Sequence, residues 1–281
     1  MITVINSGIY STIQDLGRPG FAHIGVPASG AMDSYSAKVG NQILNNHPND
    51  SVIEITFGGC QFRFEESAWV CITGADCNSD VNGARVSLNT LIKVGENGII
   101  TFGKRVKGVR TYLCVNGGIQ SEISLKSKSF YKGITTNFLL KKGDTLSFGA
   151  NTTKINDTHS KVKIDPVHFT SNIIVCSKGP EFDLLSDEQQ TNLTKNLFTI
   201  SKDNNRVGYR LEERLANNLA SILTSGVLPG TVQLTPSGTL IILMRDCQVT
   251  GGYPRVLQLS TQSINRMAQK GTGDKFHFFL K

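Results

Sequence analysis

Apolar and polar residues alternate in short runs along most of the chain, at 51–57, 61–64, 68–73, 99–102, 111–115, 145–148, 172–176, 239–244 and 275–280, each bounded by Gly, Asn or Asp. Successive side chains of a strand point to opposite faces, so every such run predicts a strand with one face toward a core. Asn82-Gly83 adds a hairpin signal, because both residues take positive φ readily. Helical spacing is confined to three places. Residues 31–44 predict a helix with Ser29 or Asp33 near its start and Ala37, Val39, Ile43 and Leu44 to pack. A second helix begins at Ser186, which forms a capping box with Gln189. A third covers about 262–269, carries Ile264, Met267 and Ala268, and ends at Gly271.

Glycine, an acidic residue and an alternating strand follow one another at 94–102, 142–148 and 272–278. The recurrence near 148 and at the C-terminus predicts two β modules, each closed by such a strand. The stretch 151–165 is polar, rich in Asn, Thr, Lys and Asp, and stops before Pro166. It reads as a linker between a module at 1–150 and a module at 166–281. Many short strands and few helices predict a mainly β protein of two packed barrels or sandwiches rather than a doubly wound sheet.

Composition sharpens this picture. The 281 residues are 39% hydrophobic and 18% charged, with 28 glycines, a profile that excludes a disordered chain, a coiled coil or a collagen. The net charge of +7 is compatible with an anionic partner, but the basic residues are scattered and no nucleic-acid-reading module is recognisable, so no nucleic-acid partner is expected. Met1 to Asn6 reaches polar residues at once and no run approaches a membrane span, which predicts a cytoplasmic protein without a membrane partner. Six cysteines form no CxxC pair and five histidines form no HExxH, so buried reduced thiols and no metal site are expected.

Four glycine-bearing polar clusters interrupt the apolar pattern. The first, 12–20, places Gln14, Asp15 and Arg18 within five residues and is followed by 25–33, ending in Asp33. They offer either a site or a pinned loop. The second holds Glu54, a carboxylate between apolar residues that either faces outward or is paired inside, and Asp76 after Gly74 at a strand end. The third is Asn116-Gly117-Gly118, a turn whose amides suit an anion. The fourth combines Arg206, Tyr209 and Arg210 with 225–233 and with Asp246-Cys247-Gln248-Val249-Thr250-Gly251-Gly252-Tyr253-Pro254. Asp246, Gln248 and Thr250 alternate and should share one face of a strand. Arginine binds carboxylate or phosphate through two parallel N–H bonds. Cys247 falls on the opposite face and is not expected to be a nucleophile. Neither a GxxxxGK[ST] phosphate loop nor a GxSxG serine elbow is present.

The clusters TIQDLGRPG (12–20), GVPASGAMD (25–33), EITFGG (54–59), TGAD (73–76), YLCVNGG (112–118), RVGYRLE (206–212), SGVLPGTVQ (225–233) and DCQVTGGYP (246–254), in this order, resemble the KipA-like family. That family is also described as the C component among the subunits of 5-oxoprolinase, as allophanate hydrolase subunit 2 or as the biotin-dependent carboxyltransferase family. The resemblance implies two cyclophilin-like β-barrel modules with a few short helices. It also implies two partner chains, the KipI-like B component and the larger A component of 5-oxoprolinase, and ATP-dependent conversion of 5-oxo-L-proline to L-glutamate, with ATP and Mg used through the complex. No biotinylated lysine motif occurs, so no biotin is attached to this chain. The alternatives are a carboxyltransferase component of the urea or allophanate type and a non-catalytic KipA-type antagonist of a KipI-like kinase inhibitor. Within the resemblance, Arg18, Arg206 and Arg210 are expected to neutralise phosphate or a substrate carboxylate, and Asp15, Asp76 or Asp246 to orient a metal or proton. Gln14, Asp33, Asn116, Gly117, Gly118, Tyr209, Gln248, Thr250 and Tyr253 are the expected substrate contacts. One departure is that Lys126, in Leu125-Lys126-Ser127-Lys128-Ser129-Phe130, stands where relatives resembling Leu-Gly-Ser-Arg-Ser-Thr carry glycine.

Overall fold

A computed structural model describes residues 1–149, 162 and 164–281. The chain divides into two compact units. Unit one comprises Met1–Arg18 and Asp33–Asp165; unit two comprises Pro19–Met32 and Pro166–Lys281. Residues 19–32 therefore fold with the second unit, whereas the sequence pattern has them in a module at 1–150. Most of the linker expected at 151–165 lies outside the described residues.

In unit one, the described strands form two sheets. One runs, neighbour to neighbour, Ile119–Gln120, Thr145–Phe148, Ile2–Ser7, Gly58–Phe64, Ile99–Lys104, Asp80–Val81 and Ala84–Arg85. The other runs Tyr10–Gln14, Val52–Thr56, Lys107–Val115, Ala68–Asp76 and Ile92–Val94. Alternation places Ile2, Val4, Phe62, Phe64 and Ile100 from the first sheet and Ile13, Ile53, Val70, Ile72 and Leu113 from the second in one core. Asn82 and Gly83, at φ of 52° and 83°, make the tight turn between Asp80–Val81 and Ala84–Arg85. The helix Ser34–Ile43 starts later than the pattern suggests, because the Asp33 side chain accepts from Ser36 N at 3.1 Å and caps it there.

Unit two is built on a closed barrel in the order Ile173–Lys178, Arg255–Leu259, Thr231–Leu234, Thr239–Leu243, Gly208–Arg214, Phe198–Asn204 and Lys275–Leu280. The last strand pairs parallel with Ile173–Lys178 and antiparallel with Phe198–Asn204, which closes the barrel. Its C-terminal module thus ends on the strand that the glycine–acid–strand echo marked. Tyr209, Leu211, Val232, Leu234, Leu240, Ile242, Phe276 and Phe278 fill the interior. The capping box at Ser186 is present, with Gln189 N donating to Ser186 Oγ at 3.3 Å and Ser186 N to Gln189 Oε1 at 2.8 Å. The third helix, Thr261–Met267, is capped by Ser260. Among the described residues no helix is long and apolar enough to cross a membrane.

Candidate functional site

Because side chains alternate, filling the barrel with Tyr209, Leu211, Val232 and Ile242 forces Gly208, Arg210, Gln233 and Ile241 onto its outer surface. Register then aligns them. Arg210 lies opposite Ile241 and Ile241 opposite Gln233, while Gly208 lies opposite Leu243. This cross-strand row is the floor of a cavity of about 700 Å³. Lys202, Asp203, Asn204, Asn205 and Val207 wall one side, and Gln248 and Tyr253 another. Two cations, Lys202 and Arg210, against one carboxylate, Asp203, leave the lining with a charge of +1. Gly208 keeps the floor low, since a Cβ there would meet Ile242 O at 3.2 Å.

The floor carries one buried amide. Gln233 is 1% exposed. Gln248 Nε2 donates to its Oε1 at a long 3.4 Å, and its own Nε2 has no hydrogen-bond partner among the described residues. A Cβ at Gly251 would come within 2.6 Å of that nitrogen, so the Gly-Gly turn is what leaves the amide its space.

Behind the wall lies a buried clamp. Arg206 donates to Asp246 in bidentate fashion, Nε to Oδ2 at 2.7 Å and Nη2 to Oδ1 at 2.9 Å. Arg206 Nη2 also donates to Gly30 O at 2.7 Å, and Ser29 Oγ donates to Asp246 Oδ1 at 2.7 Å. Arg206 is 6% and Asp246 8% exposed. The arrangement needs Ser29 and Gly30 at φ of 56° and 92°. It fixes residues flanked by the lining positions Asn205 and Val207 and lying two before Gln248.

The expected site residues therefore sort by environment. Arg210, Gln248 and Tyr253 line the cavity. Arg206 and Asp246 meet each other instead of forming its lining. Tyr209, fully buried, belongs to the barrel core. Asp246, Gln248 and Thr250 do not share a strand face: only Thr250–Gly251 is extended there, because the chain turns at 245–246, where Cys247 N donates to Met244 O at 3.1 Å, and Asp246 N donates to Arg206 O at 2.9 Å. Thr250 instead pairs with Gly226 in a two-stranded ribbon.

In unit one the expected residues are occupied by the fold. Asp15 Oδ1 accepts from Gly17 N at 2.7 Å, Ser127 Oγ at 2.7 Å and Ser129 Oγ at 2.6 Å, and its Oδ2 accepts from Lys128 N at 2.7 Å. Arg18 donates to the carbonyls of Ser124 and Ser129. Gln14 donates to Thr12 Oγ1 at 3.0 Å and is buried. These groups pin the 124–129 loop. Asp33 is a helix cap. Asp76 pairs with Arg85 at 3.3 Å on the surface and caps its own turn through Asn78 N at 2.9 Å. The anion nest expected at 116–118 has its amides engaged: Gly117 N donates to Asn46 Oδ1 and Gly118 N to Val115 O, both at 2.9 Å. Asn116 donates to Leu44 O and borders a separate pocket of about 250 Å³ with Trp69 and Lys93.

Glu54 is the interior, paired carboxylate. It accepts from Tyr112 OH at 2.9 Å and lies 3.8 Å from Arg110. Burial, then the neighbouring Glu54 and Asp33 carboxylates, push the Tyr112 hydroxyl well above its ordinary value. All six cysteines are free and buried. Desolvation pushes Cys71, Cys176 and Cys247 up to about 12, so none offers a thiolate nucleophile near neutrality.

Lys202 and Asp203 did not stand out in the sequence, and Gln233 closes the 225–233 cluster without being picked out as a site residue. The available signal was a glutamine inside the apolar Thr231–Leu234 strand, a polar residue where a buried strand should have none.

Residues 24–280 match the family described as carboxyltransferase domain, subdomain A and B. The chain is 31% identical over 287 residues to the C component of the 5-oxoprolinase of Escherichia coli (strain K12), covering 99% of this chain and 90% of that protein. It is 35% identical over 148 residues to the urea amidolyase of Lachancea kluyveri, covering 51% of this chain and 8% of that protein. Among solved structures, that of TTHA0988 superposes with a TM-score of 0.88 at 23% identity, covering 99% of this chain and 55% of the other. The chain thus spans about half of that solved relative.

Proposed function

We propose that this chain, which belongs to the family of carboxyltransferase domains with subdomains A and B, is the C component of an ATP-dependent 5-oxoprolinase complex that converts 5-oxo-L-proline to L-glutamate. It acts in the cytoplasm with the KipI-like B component in activating the lactam, and with the A component in opening the ring. The observation that supports this reading most is the full-length likeness to a protein named as the C component of 5-oxoprolinase.

The chemistry suits the cavity. A lactam carbonyl is a poor electrophile until its oxygen is phosphorylated; hydrolysis then breaks the ring C–N bond and releases inorganic phosphate, the carbonyl carbon gaining oxygen from water and the nitrogen gaining a proton. The chain's own contribution is binding and orientation. Arg210, projecting from the barrel floor, presents a planar fork to a substrate carboxylate, and Lys202 adds a second positive charge. The Arg206–Asp246 clamp holds the wall in register. ATP with Mg supplies the phosphoryl group when the complex binds it. Among the described residues no three His, Cys, Asp or Glu side chains gather as metal ligands, and the lining carboxylate Asp203 stands alone. No step is assigned to the nucleotide on this chain.

Co-expression with the KipI-like B component and the A component, followed by ATP-dependent glutamate release from 5-oxoproline, tests the proposal. Turnover should vanish when this chain is omitted; a complex that turns over without it would overturn the assignment. The likeness to urea amidolyase favours a second reading, a carboxyltransferase component receiving carboxyl from a biotin on another chain. Carboxylation of urea by this chain and a carboxybiotin carrier, with no oxoproline turnover, would select it.

A further inference from the structure

The two glutamines of the cavity form half of an amide pair. Two carboxamides in one plane can exchange two hydrogen bonds, each N–H donating to the other carbonyl. Here Gln248 makes one of them to Gln233 Oε1, at 3.4 Å, and the second is missing because Gln233 Nε2 has no partner. Leaving a buried N–H unsatisfied carries the desolvation penalty of that group with nothing to offset it. Gln233 cannot turn away to water, since it is 1% exposed and held in the middle of a barrel strand. Gln248 is exposed and lies in a stretch without regular structure.

A cis-amide, in which N–H and C=O lie on the same side, presents the complementary donor and acceptor. Small lactams hold that geometry in a ring, and ureas and primary carboxamides also present it, whereas open-chain secondary amides are trans. Arg210 projects from the same floor, one cross-strand residue away through Ile241.

We infer that Gln233 is the group that selects the substrate's cis-amide: a lactam displaces the Gln248 side chain and makes both hydrogen bonds to the buried carboxamide, while Arg210 receives the carboxylate. This deepens the oxoprolinase reading and rests on it for the carboxylate-bearing lactam. It assigns the discrimination to one side chain whose N–H is unsatisfied in the free protein. A site built around a buried polar group rejects analogues that leave the group unpaired: either ring carbonyl can accept from the unmet N–H, but only the lactam N–H refills Gln233 Oε1 once Gln248 is displaced, so the preference for the lactam over a lactone follows from that acceptor.

Calorimetric titration of the full chain tests it with two probes, 5-oxo-L-proline and its lactone isostere 5-oxotetrahydrofuran-2-carboxylate, which lacks the N–H. Wild type should bind the lactam at least about tenfold more tightly than the lactone. Gln233→Leu, and the near-isosteric Gln233→Met should Leu compromise folding, should bring the two probes within about threefold of each other through loss of lactam affinity. Gln248→Ala should leave the lactam bound as tightly or more so. The inference is overturned if wild type binds neither probe, if it fails to separate them, if the Gln233 variants keep the preference, or if Gln248→Ala abolishes it. The oxoprolinase reading fails separately: the lactam preference and its dependence on Gln233 would persist while the reconstituted complex releases no glutamate.

Discussion

The 12–18 cluster of unit one and the outer barrel face of unit two carry the same kinds of group, and the fold uses them in opposite ways. Asp15 and Arg18 are buried at 4% and 1% exposure. Four donors converge on the Asp15 carboxylate alone. With three donors on Oδ1 and one on Oδ2, this carboxylate is engaged by the fold, and its work is to hold a loop. Arg210 and Lys202 are exposed in a cavity, and the Gln233 amide beneath them lacks a partner. Residue type and a flanking glycine are therefore poor guides to a site; the state of satisfaction of each polar group separates structure from binding.

The sharpest challenge to that distinction lies inside unit two. Arg206 and Asp246 sit beside the cavity but, like Asp15, are saturated and buried. Arg206→Ala should therefore act mainly on stability, by about 3–5 kcal/mol, because it leaves Asp246 buried without its bidentate partner. Chemical denaturation of the variant checks this; a loss below about 1 kcal/mol would move Arg206 to the binding side of the comparison. Asp15→Ala should cost unit one about 3 kcal/mol through its orphaned donors, read in the same way.

A pH series sharpens the comparison further. Glu181 accepts from Arg255 Nε at 3.0 Å and Nη2 at 2.8 Å, and these bonds hold its carboxyl below the ordinary value. The unfolded chain thus binds the proton more readily. This contribution is present above the unfolded carboxyl value and is lost as pH falls through the lower folded one. Glu181→Gln should flatten that part of the acid limb of stability in thermal unfolding, while binding in the cavity, which Glu181 does not line, stays the same. The smallest effect concerns the loop that Asp15 holds. Lys126 adopts φ of 63°, in the left-handed region, so Lys126→Gly should raise stability by about 1 kcal/mol with no change in ligand affinity.

Much of the fold was legible in local pattern. The strands at 145–148 and 275–280 appear at the bounds read from alternation, and the Ser186 capping box and Asn82-Gly83 turn form because their chemistry is complete within four residues. The site was legible only in pieces. Arg210, Gln248 and Tyr253 stand in the clusters that glycine and charge marked. Gln233 meets them through strand register across Ile241, and register is set by which face fills the barrel, a non-local outcome. Likewise, nothing in 19–32 indicates that it packs with residues beyond 166, since the tie is made by Ser29 and Gly30 to side chains some two hundred positions away. The supposed strand at 246–250 failed for the same reason. Asp246 turns inward to meet Arg206, and a distant guanidinium overrides local alternation.

The claim that the open polar groups of unit two bind substrate while the saturated ones hold the fold is tested most directly by Arg210→Ala in the reconstituted complex. Glutamate release from 5-oxoproline at subsaturating substrate should fall at least about tenfold, with the unfolding free energy of this chain within about 0.5 kcal/mol of wild type. Undiminished turnover in that variant would contradict the account.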